Sequence, residues 1–186
     1  MRFERTELDG AWRIDLEPAS DQRGFFARTF CTREFAEHGL KTVFVQHSTS
    51  YSTKRGTIRG MHFQRDPAAE VKVVNCVRGA VYDVIVDLRS SSPTYRRWQG
   101  FELSAENRRR LYIPAGYAHG FQTLSDDAEV EYLISEFYAP DSASGVRYDD
   151  PAFAVEWPLP VTSISDRDRS WPDYVESMSP VSPSKP

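Results

Sequence analysis

The sequence predicts an all-β domain, closed or sandwiched into an antiparallel barrel. Short apolar–polar alternating runs recur between residues 11 and 137, clusters of Gly, Pro, Ser, Asp or Asn end each run, and a single short stretch reads as helix. With 186 residues, 40% hydrophobic and 13% aromatic, the chain can bury one core, and nothing in it forces a second domain. That domain is expected over residues 1–170. Residues 171–186 are expected as a loose tail, because alternation stops beyond Trp157-Pro158 and the stretch 177–186 (SMSPVSPSKP) has little to bury.

In order, residues 11–16 (AWRIDL) and 25–30 (FFARTF) read as strands flanking the turn Asp21-Gln22-Arg23-Gly24, where Gly24 can take a positive φ. Residues 32–38 are the one helix, with Thr32 as N-cap and Gly39 as its stop. Alternation over 43–50 puts Phe44, Gln46, Ser48 and Ser50 on one face and Val43, Val45 and His47 on the other. Gln and Ser beside Phe suit a polar ligand. Strands follow at 57–64, 71–77, 80–88, 98–103, 110–113, 119–124 and 128–137, and the tight Arg78-Gly79 link suggests a hairpin between two of them.

The formal charge of -4, spread over 23 basic and 27 acidic residues, gives no global field for nucleic acid, so an anionic ligand must be held locally. Arg108-Arg109-Arg110 reads as a solvated turn. No long apolar run follows the first residues or occurs elsewhere, which predicts neither export nor membrane spanning and a cytoplasmic protein. Cys31 and Cys76 lack metal-ligand spacing and read as reduced thiols, Cys76 packing in a strand.

Chemistry concentrates around Gly56-Thr57-Ile58-Arg59-Gly60-Met61-His62-Phe63-Gln64. Ile58, Gly60, His62 and Gln64 share one face of an extended segment, so an imidazole is aimed where apolar residues belong. Arg59 stands on the opposite face by strict alternation, but a bulge at Gly60 would swing Arg59 and His62 toward one cavity. Lys72, His119 and Tyr132 also fall at inward strand positions; Tyr132 shares its face with Val130 and Ile134. Singly, an inward His or Tyr is ordinarily a hydrogen-bonded core residue. An inward Lys is costly unless an anion or a wet cavity meets it, and the four together imply such a cavity. A base, a cation and a phenol around one cavity are what proton abstraction next to a carbonyl needs. In Ser165-Asp166-Arg167-Asp168, Asp166 or Asp168 could supply the carboxylate that orients His62; an exposed acidic turn is the alternative.

Pro114-Ala115-Gly116-Tyr117-Ala118-His119 fits half of the cupin signature, and Gly56 with His62 fits the start of the other. Many cupins hold a metal through His-x-His, a Glu and the later His; here the second His is Gln64, which argues against a metal oxygenase. The chain from about residue 11 to 168 resembles the dTDP-4-dehydrorhamnose 3,5-epimerase family, a cupin branch that works without metal. The likeness is carried by Asp21 to Phe26, the Gln46 strand, Ile58 to Gln64, Val71 to Val74, Gly79 to Arg89, Ser92-Pro93-Thr94, Ile113 to Phe121, Tyr132, Tyr138-Ala139-Pro140, Asp149-Asp150-Pro151, Trp157-Pro158 and Ser165 to Asp168.

The resemblance implies a cupin-type barrel or jelly roll, no cofactor and no metal, and a nucleotide-diphosphate sugar as substrate. It implies His62 as base paired with Asp168, Lys72 on the enolate, Tyr132 as acid on the opposite sugar face, and His119 in the same pocket. Arg23, Gln46 and Arg59 would hold the nucleotide or its diphosphate, with Tyr138 and Phe25 or Phe26 stacking nearby, in homodimers that exchange N-terminal strands. Four positions depart from the family's usual residues: Arg28 for Glu, Ser48 for Asn, Ala143 for Glu, and Arg167 for Lys. Arg28 reverses a charge, so another base, sugar or diphosphate anchoring is open. The reading is a cofactor-independent epimerase of a nucleotide-linked 4-keto-6-deoxy sugar, most simply the thymidine-linked one inverted at C3 and C5. Its rivals are a one-carbon epimerase, another nucleotide, a 3,4-ketoisomerase, and a sugar-binding cupin without turnover.

Overall fold

The computed structural model describes residues 1–175 and Pro180. Its strands are β1 (Arg2–Arg5), β2 (Trp12–Asp15), β3 (Ala19–Asp21), β4 (Gly24–Phe26), β5 (Gln46–Ser52), β6 (Ile58–Gln64), β7 (Lys72–Arg78), β8 (Ala80–Asp87), β9 (Trp98–Ser104), β10 (Arg110–Ile113), β11 (Tyr117–Thr123), β12 (Ala128–Ile134) and β13 (Ala143–Gly145); the helices are α1 (Thr32–Glu37) and α2 (Asp166–Arg169). Six strands form one sheet in the order β1-β2-β10-β7-β12-β5, five form a second in the order β13-β6-β11-β8-β9, and β3 and β4 pair as a separate two-stranded ribbon. The pairings are antiparallel, as expected for the all-β jelly-roll class.

Alternation explains the layers. On β7, Val74 and Cys76 point between the sheets to meet Val81, Ile85, Leu103 and Phe121, while Val73 points outward to pack with Trp12, Ile14, Phe35 and Tyr112 beneath α1. On β8, Val84 and Val86 face a third cluster with Met61, Phe63 and Phe153. Each fully buried Val, Ile or Phe in these layers contributes about 1.5–3 kcal/mol relative to exposure. Among the described residues no helix is long and apolar enough to cross a membrane.

Several local expectations are corrected. Arg78-Gly79 is not a hairpin: β7 pairs with β10 and β12 while β8 pairs with β9 and β11, so the chain crosses between sheets there. Gly79, at φ +69°, makes the corner, and an added Cβ would run into Ser125. A short Gly link fits a hairpin or a corner, and alternation does not choose a strand's partner. The strand expected at 25–30 ends at Phe26, that expected at 43–50 runs from Gln46 to Ser52, and that expected at 128–137 ends at Ile134. Phe44 leaves the Gln46 face to pack on Phe30 and Phe35.

Cys31, not Thr32, caps α1, without a side-chain bond, and Gly39 stops it at φ +69°. Of the three arginines read as a solvated turn, only Arg108 is exposed. Arg109 pairs with Asp15 at 3.0 Å, and Arg110 lies on β10 with its Nε buried and unbonded. The start of the expected loose tail is held: Tyr174 is buried and its N–H donates to Asp150 at 2.6 Å. The Pro180 carbonyl accepts from the Asp66 N–H at 2.8 Å. The remainder of that tail lies outside the described residues.

Candidate active site

The base strand departs from regular pairing at Gly60. His62 stands opposite His119 and Arg59 opposite Phe121, so Gly60 and Met61 together face the single residue Gly120. Gly60 is at φ +137°, and a Cβ there would overlap the Gly120 backbone. The bulge lets Met61 bury in the core while Arg59 and His62 both line one cavity of about 540 Å³. Arg59 is fixed at its rim, donating through Nε to Ser52 Oγ and through Nη2 to the Tyr51 carbonyl, each at 2.9 Å.

Both sheets supply polar groups to this cavity. From the five-stranded sheet come His62 and His119, and from the six-stranded sheet Ser48, Ser50, Lys72 and Tyr132. His62 Nε2 lies 2.6 Å from Asp168 Oδ1 on α2, with the His62 side chain 45% exposed and the Asp168 side chain buried. Ser165 caps α2 by accepting the Asp168 N–H at 3.1 Å, and Asp168 Oδ2 accepts the Gly60 N–H at 3.2 Å. The Ser165–Asp168 stretch is thus a carboxylate mount and not an exposed acidic turn. Burial opposes ionisation of Asp168, but the His62 hydrogen bond and charge, with the Gly60 and Ser165 bonds, outweigh it and hold its carboxyl below the usual value.

A depressed carboxylate stabilises the fold above its unfolded pKa, and that contribution is lost as pH falls through the lower folded value. Asp168→Asn is therefore expected to flatten the acid side of the stability–pH curve. It is also expected to lower kcat by about 10²-fold, through loss of the charge that stabilises the imidazolium, as read in initial rates and acid unfolding.

A second His–Asp pair lies deeper: His119 Nε2 is 2.9 Å from Asp83 Oδ2, both buried. The His119 ring meets Tyr132 edge-on at 6.1 Å. Burial, chiefly, pushes the Tyr132 phenol up, despite a 3.4 Å contact with Ser50 Oγ, so it is protonated at neutral pH and equipped to donate. Lys72 Nζ sits 2.9 Å from Glu70 Oε1 and 3.4 Å from the His62 carbonyl.

His62 and Lys72 also border a second cavity of about 190 Å³, with Gln46, Gln64, Tyr138, Ala143 and Arg167 on its walls. Gln46 accepts the Tyr138 N–H at 3.0 Å, and the Arg167 guanidinium lies over Trp171 at 5.4 Å. The Gln64 amide is engaged by backbone: it accepts from Ala139 at 2.6 Å and donates to the Ala68 and Phe137 carbonyls.

Four expected binding residues are not at either cavity. Arg23 pairs with Asp21 at 2.6 Å and is 84% exposed, Phe26 is 75% exposed, and Arg28 pairs with Glu34 at 3.4 Å. Phe25 lies on β4, under the Arg108 guanidinium. All four belong to an arm formed by β3, β4 and the residues just after them.

Asp83 and Glu70, which hold His119 and Lys72, escaped the sequence reading. Asp83 shares parity with Val81 and Ile85 on β8, so the inward-charge test that singled out Lys72 applies equally to it. Glu70 precedes β7, outside any alternating run, and carried no signal.

The sequence profile described as dTDP-4-dehydrorhamnose 3,5-epimerase matches residues 5–176. The chain belongs to that family. It is 47% identical over 174 residues to a dTDP-4-dehydrorhamnose 3,5-epimerase of Methanothermobacter thermautotrophicus, covering 92% of this chain and 93% of the relative. The structure of the Bacillus anthracis dTDP-4-dehydrorhamnose 3,5-epimerase with TDP and PPi bound is similar at a TM-score of 0.88 and 42% identity, over 93% of this chain and 99% of that one. The Legionella pneumophila dTDP-6-deoxy-D-glucose-3,5-epimerase, in complex with dTDP-4-keto-L-rhamnose, aligns at 0.90 and 34% identity, over 98% and 99%. The 3,5-epimerase family is thus shared across nearly the whole chain.

Proposed function

We propose that the protein is a cofactor-independent 3,5-epimerase of thymidine-diphospho-4-keto-6-deoxyglucose. The observation that carries this is the His62–Asp168 pair on one wall of the cavity, with Lys72 and a protonated Tyr132 contributed by the facing sheet. His62 takes the proton from the carbon next to the C4 carbonyl, leaving an enolate whose oxygen is met by the Lys72 ammonium. Asp168 holds the resulting imidazolium. Tyr132 returns a proton from the other face, which inverts the centre; Tyr132 then recovers a proton from solvent and the His62 imidazolium releases the abstracted one to solvent. Repetition at the second carbon beside the same carbonyl gives the double inversion.

Gln46, Ser48, Arg59, Tyr138 and Arg167 are read as the nucleotide and diphosphate holders, with His119 in the sugar pocket. The exposed arm bearing Arg23, Phe25, Phe26 and Arg28 supports a homodimer in which each arm completes the partner's cavity. Residues 1–170 are read as one epimerase domain acting in the cytoplasm. Proton NMR of the sugar during incubation tests the activity: inverted couplings at C3 and C5 are expected, and unchanged substrate would contradict it.

Arg28 sets an expectation of its own. In that dimer the arm would bring Arg28 to the mouth of the partner's cavity, where the family usually carries Glu, and this is expected to narrow the preference for thymidine over other nucleotides. Affinities for thymidine, cytidine, guanosine and uridine diphosphates should then shift by about tenfold in ratio between wild type and Arg28→Glu, about 1.4 kcal/mol. Unchanged affinity ratios on restoring Glu would sink the idea.

A further inference from the structure

We infer that Glu70 is a positioning residue for the reaction, holding the Lys72 ammonium at the junction of the two cavities where the enolate oxygen forms. This rests on the reading of Lys72 as the cation for that oxygen.

The geometry is specific. One carboxylate oxygen of Glu70 lies 2.9 Å from Lys72 Nζ, and the other accepts the Gln64 N–H at 3.1 Å. Glu70 thereby ties β7, which carries the cation, to the end of β6, two residues beyond the base His62. Both side chains are largely buried, so the ammonium has little bulk water to replace a lost partner, and a long flexible side chain without an anchor would sample several rotamers. Glu70 itself borders only the smaller cavity, whereas Tyr132 and His119 line the larger and Lys72 lines both, so Glu70 acts through the lysine.

Glu70→Met, which keeps length and removes both acceptors, is expected to lower kcat about tenfold while KM changes less than about twofold, since misplacement of a catalytic group by an ångström is costly. Glu70→Gln, which keeps one oxygen for the ammonium, is expected to recover most of that loss. The deciding comparison is in a Lys72→Gln background, where adding Glu70→Met should cost no further kcat. That pair of variants also carries the test when Glu70→Met alone does not fold. Losses that multiply would overturn the proposal and leave the epimerase reading intact. Undiminished activity of Lys72→Gln would overturn both the role of Lys72 and that of Glu70.

Discussion

His62→Ala is expected to reduce kcat by about 10²–10⁴-fold, the range spanned by a positioned general base, while leaving the affinity for thymidine diphosphate within about twofold of wild type, because the groups read as nucleotide holders are separate from it. The size follows from the absence of a substitute at that spot. His119 is the other imidazole of the cavity, but it is buried and bonded to Asp83, with no bond to Asp168. The measurement is the initial rate together with a titration of the nucleotide. A rate within tenfold of wild type would assign the base elsewhere.

Gly60→Ala is expected to damage both stability and activity. The residue sits at φ +137°, a conformation that L side chains rarely adopt, and its new methyl would press on the Gly120 backbone and lie 3.0 Å from the His119 carbonyl. Overpacking of this kind costs about 1–3 kcal/mol before the backbone strain is added. Each kcal/mol lowers Tm by about 2–4 °C in a chain of this size. Relief requires β6 and β11 to separate or the bulge to relax, and either moves Arg59 and His62 off their shared wall. Gly24→Ala is the control, since it too has a positive φ but nothing within 4 Å. Calorimetry and kcat/KM should show Gly60→Ala losing stability and rate together and Gly24→Ala losing far less of both; equal effects would show that the bulge does not shape the site.

How far the molecule could be read from its sequence depends on the range of the interaction concerned. Alternation located strands β6 to β12 because each buries one face, and parity then exposed His62, Lys72, His119 and Tyr132 as polar groups in apolar positions. The bulge was legible from the conflict between Arg59 and His62 with a glycine between them. Partner choice was not: Arg78-Gly79 has the local chemistry of a hairpin, and only packing of two sheets makes it a corner. Nor were caps and pins, since Asp150, Tyr174 and Glu70, which make the Asp150–Tyr174 and Glu70–Lys72 contacts, lie outside any periodic run. Arg23, Phe25, Phe26 and Arg28 were named through family likeness, and their place on an exposed arm follows from neither parity nor spacing.

The central claim, proton removal by His62 and return by Tyr132 at each inverted carbon, is tested most directly by counting deuterons. In heavy water both carbons exchange their hydrogen with solvent during inversion, so mass spectrometry of product from thymidine-diphospho-4-keto-6-deoxyglucose should show two deuterons. His62→Ala should show none. Tyr132→Phe should retain exchange at the base's face without net inversion, because abstraction survives and the return proton is missing. One deuteron would reduce the enzyme to a single-site epimerase, and none with wild type would leave a cupin that binds without turnover. Full uptake by His62→Ala would contradict the account outright.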